Sequence, residues 1–106
     1  MLPLCITMHY VVAMVETVDW SKREAHMWER HKVRPTEANE ALADPNRVVI
    51  DPDYNSRSGE GIRIIGYSVS RDEVLSIIVH RPTGYGLNGW PSNSTDRRYY
   101  REGGRS

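Results

Sequence analysis

Three arginines near the C-terminal end of the chain, Arg97, Arg98 and Arg101, stand at spacings that a helix gathers onto one basic side, because residues three and four apart are neighbours on its surface. A guanidinium is planar and permanently charged, and it grips phosphate oxygens through paired N–H donors. Arg81, which follows an apolar run, is a fourth candidate cation. Further up the chain, Arg30 and Lys32 flank His31, whose imidazole titrates near neutrality and can carry a proton. Trp90, Tyr85 and one of the pair Tyr99 and Tyr100 offer rings on which a base can stack. Cleaving a phosphodiester needs these groups: a base for the proton of the attacking hydroxyl, and cations to hold the phosphate as negative charge builds. Each residue also has a structural reading, as a helix cap, a solvated helix face or a core aromatic. His26 and His31 lie five apart, a poor match to one helical face, and no neighbouring Cys or carboxylate completes a metal cluster, so no metal is expected.

The composition allows such a surface without demanding it. Lys plus Arg and Asp plus Glu number 14 each, for a formal net charge of zero. From Arg81 onward five arginines face only Asp96 and Glu102, so this part carries +3 and the remainder −3. A neutral chain can thus present one basic side to a polyanion. With 106 residues, 39% hydrophobic and 26% charged, the chain fits one soluble domain with one core. Cys5 is the lone cysteine, which excludes an internal disulfide and points to packing rather than nucleophilic chemistry. The first twenty residues lack a basic leader, and Thr7, His9 and Glu16 interrupt any long apolar run, so neither a signal peptide nor a span is expected. A cytoplasmic protein follows by default.

The elements that must position the candidates centre on residues 61–80, GIRIIGYSVSRDEVLSIIVH. Two runs rich in β-branched residues flank Ser70-Arg71-Asp72-Glu73 and read as an antiparallel hairpin. Ile62, Ile64 and Gly66 share one face and Arg63, Ile65 and Tyr67 the other, while Val74, Ser76 and Ile78 alternate with Leu75, Ile77 and Val79. Both faces carry apolar groups, so helices should cover this pair at least in part.

Residues 1–15 stay open between a strand over Ile6–Val15 and a loosely docked arm, with Met8 and Met14 as alternative starts, and a single domain spans 16–106. Val18 and Trp20 suit a short edge strand. Ser21-Lys22-Arg23-Glu24 has the form of a capping box opening a helix to His31, with Ala25, Trp28 and the stem of Lys32 at helical spacing and Trp28 as its core anchor. Pro35 starts a second helix to about Ala43, with Ala38, Ala41 and Leu42 on one stripe. Arg47–Ile50 and Leu87–Trp90 read as further strands. Ser92, Ser94 or Thr95 caps a last helix in which Asp96 suits the positive N-terminal end, and Gly103-Gly104 ends it.

This order of elements, with Val18-Asp19-Trp20, Arg30-His31-Lys32-Val33, Glu37-Ala38, Asp44-Pro45 and Ile64 to Gly66 in place, resembles the BrnT family of bacterial type II toxins over residues 17–102. The resemblance implies an α+β fold of the RelE type: a small antiparallel sheet with two N-terminal helices and a C-terminal helix. It implies RNA cleavage without metal or cofactor, and a cognate antitoxin of the BrnA type that silences the toxin in a hetero-oligomer. His31, Arg81, Arg97 and Arg98 would then be catalytic candidates, and Arg30, Lys32, Trp90, Tyr100 and Arg101 RNA-binding ones. Where the family carries Ser-Ala-Arg before its last helix, this chain reads Trp90-Pro91-Ser92. A binding domain without catalysis, joined to an antitoxin-like protein or operator DNA, is therefore the alternative.

Overall fold

The computed structural model describes residues 18–103, and the expectations for residues 1–15, Cys5 included, fall outside them. In chain order the described residues form α1 (Glu24–His31), α2 (Pro35–Leu42), β1 (Val48–Ile50), β2 (Gly61–Ser68), β3 (Glu73–His80), β4 (Gly86–Pro91) and α3 (Ser94–Gly103). The strands make one antiparallel sheet in the order β1-β2-β3-β4. The architecture is α+β.

Register explains how one sheet carries two different faces. Ile62 pairs with Val79, Ile64 with Ile77 and Gly66 with Leu75, which puts these six on the face that α1 and α2 cover. Ala38, Ala41 and Leu42 of α2, with Met27 and Val33, complete this apolar core. Arg63, Ile65 and Ser76 lie on the opposite face, where α3 packs. Apolar burial thus sets one layer, and the other is partly polar.

Gly66 lets α2 approach closely: a Cβ there would stand 2.0 Å from the carbonyl oxygen of Ala41. That neighbour is helix backbone and cannot rotate away. Gly66→Ala is therefore expected to cost about 1–3 kcal/mol or more through overpacking, read as a lower midpoint in urea. An unchanged midpoint would mean that α2 slides on the sheet at no cost. Gly86 plays the same part beneath Trp20, whose ring lies 2.3 Å from where its Cβ would be.

Four local expectations are corrected. The helix expected from Ser21 starts at Glu24, and Ser21 caps nothing; its own N–H donates to the Asp19 carboxylate at 2.9 Å. Trp28 is 41% exposed, whereas Met27 is fully buried. In an eight-residue helix the stripe through Ala25, Trp28 and Lys32 and the stripe through Met27 and His31 fit the helical period equally well, and the second faces the sheet. In place of an edge strand at Val18–Trp20, Asp19 makes a single parallel bridge to Tyr85, and Trp20 turns inward to donate its indole N–H to Asn39 Oδ1 at 2.9 Å. The cap of α3 is Asn93, whose side-chain oxygen accepts from the Asp96 N–H at 2.9 Å; Ser92 is used elsewhere.

Candidate nucleic-acid interface

The polar face of the sheet is built around Arg63, a 3% exposed side chain. Its Nε donates to Asp53 Oδ1 at 2.6 Å and its Nη1 to Asp96 Oδ2 at 2.5 Å. Asp96, fully buried, also accepts from Ser76 Oγ at 2.6 Å and from the Tyr54 hydroxyl at 2.5 Å, while Ser76 and Ser92 share a hydrogen bond of 2.7 Å. The guanidinium carbon sits 4.2 Å from the centre of the Tyr54 ring and 5.2 Å from that of Trp90, within cation–π range. Burial works against the Asp96 carboxylate. The hydrogen bonds from Ser76, Tyr54 and Arg63, with the Arg63 charge, outweigh it and hold its pKa below 3.8. The first turn of α3 is fastened to the sheet by this carboxylate. Sequence reasoning took Asp96 for a helix-end charge and Arg63 for one face of a strand; a separation of 33 residues hid the link between them.

Several sequence candidates collect beside this network, at the C-terminal end of β4. His31, the last residue of α1, brings its ring to 6.0 Å from Trp90. Arg97, on the other side of the sheet, donates from Nη1 to the Ser92 carbonyl at 2.7 Å. α1 thus reaches Trp90 on the edge strand through His31, and Arg97 is tied to the Ser92 carbonyl just past the end of that strand. Burial, followed by the charges of His26 and Arg30, lowers the His31 pKa from 6.5, so the imidazole is neutral at pH 7 and able to accept a proton. Arg30 is exposed next to it.

Other candidates are placed elsewhere. Arg81 forms an ion pair with Asp51 beyond the far end of β3. Seven residue steps along the strand separate it from Val74, whose carbonyl accepts from Ser92 N–H, or about 23 Å of extended chain. Its guanidinium does not join Arg97. Tyr100, expected on RNA, donates its hydroxyl to Asp44 Oδ2 at 2.6 Å; burial and then this bond raise its pKa to about 12. Asp44 Oδ2 also accepts from the Tyr67 N–H at 2.8 Å, so Tyr100 is a tie between α3, the end of α2 and β2. The Lys32 ammonium lies 5.2 Å from the centre of the Trp28 ring, on the outer side of α1. A groove of about 490 Å³ runs there past Ala25, Trp28, Arg34 and Pro35.

The outer side of α3 carries a second groove, of about 420 Å³, lined by Ser94, Thr95, Arg98, Tyr99, Arg101 and Glu102. Among the described residues no cluster of His, Cys, Asp and Glu is arranged to hold a metal ion, and no helix is long and apolar enough to cross a membrane. No family model, no curated protein and no solved structure matches the chain.

Proposed function

We propose that this protein is a metal-independent endoribonuclease of the RelE and BrnT toxin type, held silent by a cognate antitoxin. The observation that carries the reading is the His31 ring 6.0 Å from the Trp90 ring, with Arg97 bonded to the Ser92 carbonyl just past the end of β4. A neutral imidazole takes the proton of a ribose 2′-hydroxyl as that oxygen attacks phosphorus, the P–O5′ bond breaks to leave a 2′,3′-cyclic phosphate, and the leaving 5′-oxygen takes its proton from water. Arg97 neutralises the phosphate as it gains charge, and Trp90 gives the adjoining base a flat wall. No step calls on a cofactor. Arg98 and Arg101 extend the cationic side along α3, and Arg30 stands exposed next to the imidazole on α1. An antitoxin would silence the toxin by covering the end of β4.

Purified protein is expected to cut RNA in excess chelator. Arg97→Ala should slow cutting about 100-fold, as expected for removal of one charge-stabilising donor, while leaving the melting temperature within a few degrees. Equal cutting by the variant would remove Arg97 from the mechanism. The binding domain without catalysis is favoured by one observation, the commitment of Arg81 to Asp51 at the far end of the sheet. It predicts capture of an antitoxin-like protein with no cutting at all, in chelator or out of it.

A further inference from the structure

Two exposed tyrosines stand beside the α3 groove, and neither has a part in the mechanism above. Tyr54 is 46% exposed and Tyr99 43%, and their rings stack with centroids 6.1 Å apart at 26°. Tyr54 is held from within. Its hydroxyl is turned in to Asp96 and its ring lies against the Arg63 guanidinium, which also lies against Trp90. Trp90, Arg63, Tyr54 and Tyr99 therefore form a continuous series of stacked groups. One end is at the proposed cleavage site, and the other opens to solvent on α3.

From this arrangement we infer that Tyr99, supported by Tyr54 and flanked by Arg98 and Arg101, is a base-stacking subsite for single-stranded RNA outside the cleavage site. The choice of RNA rests on the ribonuclease reading; the stacking geometry stands without it. Stacking needs a base whose face is open, and every base has one, so the subsite selects single strands over duplex and tolerates any sequence. Arg98 and Arg101 line the groove with Tyr99 and supply the charge for the flanking phosphates, with Ser94 and Thr95 as hydroxyl partners. Glu102, also in the lining, reduces the local charge to +1, which leaves stacking as the larger contribution. A volume of about 420 Å³ lies in the range of roughly 300–1,000 Å³ that takes a small ligand such as one nucleotide. A ring-to-ring distance of 6.1 Å is too short to admit a base between the tyrosines, so the base lies on the outer face of Tyr99.

The test is fluorescence anisotropy with a labelled adenosine-rich RNA oligomer, in a His31→Ala background so that the strand survives. Adding Tyr99→Ala is expected to weaken binding of the single strand about tenfold. Tyr99→Phe, which keeps the ring, should stay within about twofold of the parent, and the duplex of the same sequence should respond little to either change. Full affinity in the alanine variant, or an equal loss on duplex, overturns the subsite. The two proposals fail separately. Absence of cutting by protein with His31 intact, with Tyr99-dependent binding preserved, sinks the nuclease and leaves the subsite. Cutting that persists beside binding indifferent to Tyr99 does the reverse.

Discussion

Asp96→Ala is expected to destabilise the fold by about 3–5 kcal/mol, the usual effect of removing one member of a buried ion pair, and to lower the melting temperature by roughly 10–20 °C. The side chain is fully buried and holds Arg63, Ser76 and Tyr54 at once. Without it, two hydroxyls and part of a buried guanidinium lose their acceptor. Arg63→Ala should cost a similar amount, because it leaves buried Asp53 and Asp96 without their cation. Asp51→Ala is the control. It removes a surface ion pair to Arg81 whose side chains are 43% and 36% exposed, and such pairs contribute about 0–1 kcal/mol. The network also sets the acid limit of the fold. Because the folded pKa of Asp96 lies below 3.8, its contribution is complete above that value and disappears as pH falls through the lower one. Equal melting temperatures for Asp96→Ala and Asp51→Ala would show that α3 is not anchored through Asp96.

What the sequence made legible was whatever depends on neighbours a few residues apart. The alternation in residues 61–80 assigned the two faces of the hairpin, and the observed pairing of Ile64 with Ile77 and of Ile65 with Ser76 keeps that assignment. The stripe Ala38, Ala41 and Leu42 was likewise readable, and all three are buried. What failed was choice among local signals of similar strength. Ser21 offers an oxygen to the N–H groups at the start of α1, but no side chain caps it; the Trp20 carbonyl accepts from Arg23 and Glu24, and Asp19 takes only the Ser21 N–H. Trp28 is larger than Met27, yet the shorter, unbranched side chain reaches the sheet beneath Gly89, where a Cβ would stand 3.0 Å from its sulfur. A bulky indole has no room there.

The candidate site shows the same division. His31, Trp90 and Arg97 were named from residue type, but the approach of His31 to Trp90 and of Arg97 to the Ser92 carbonyl depends on the sheet's edge, which no local pattern encodes. Tyr99 and Tyr100 could be divided between inner and outer sides, though not assigned. The hydroxyl of Tyr100 finds Asp44, 56 positions away in sequence, and this leaves Tyr99 for solvent. Arg81 looked equivalent to the other arginines because its distance from them is a property of strand length. Buried polar ties across the sheet, Asp96 to Arg63 and Asp44 to Tyr100, decide which cations and rings remain at the surface.

His31→Ala is expected to reduce RNA cleavage by about 100- to 10,000-fold, the range that one positioned proton carrier contributes. Binding of RNA should change far less, since Arg97, Arg98 and Tyr99 are untouched. The pH profile gives the sharper test. A solvated histidine acting as base would lose activity as pH falls through about 6.5; the lowered pKa of His31 keeps the base form to lower pH, so the acidic limb must lie below that value. Titration of the His31 ring by NMR should give the same midpoint as the limb. The sign for stability follows from the same shift. Below pH 6.5 the unfolded chain takes up the proton first, so His31 withdraws stability as pH falls from 6.5 to its folded value, and the loss then levels off. His31→Gln, uncharged at every pH, should remove both the acidic limb and this part of the stability profile. A variant that cuts RNA at the parent rate with the limb unmoved would assign the proton transfer to another group and leave His31 as packing against Trp90.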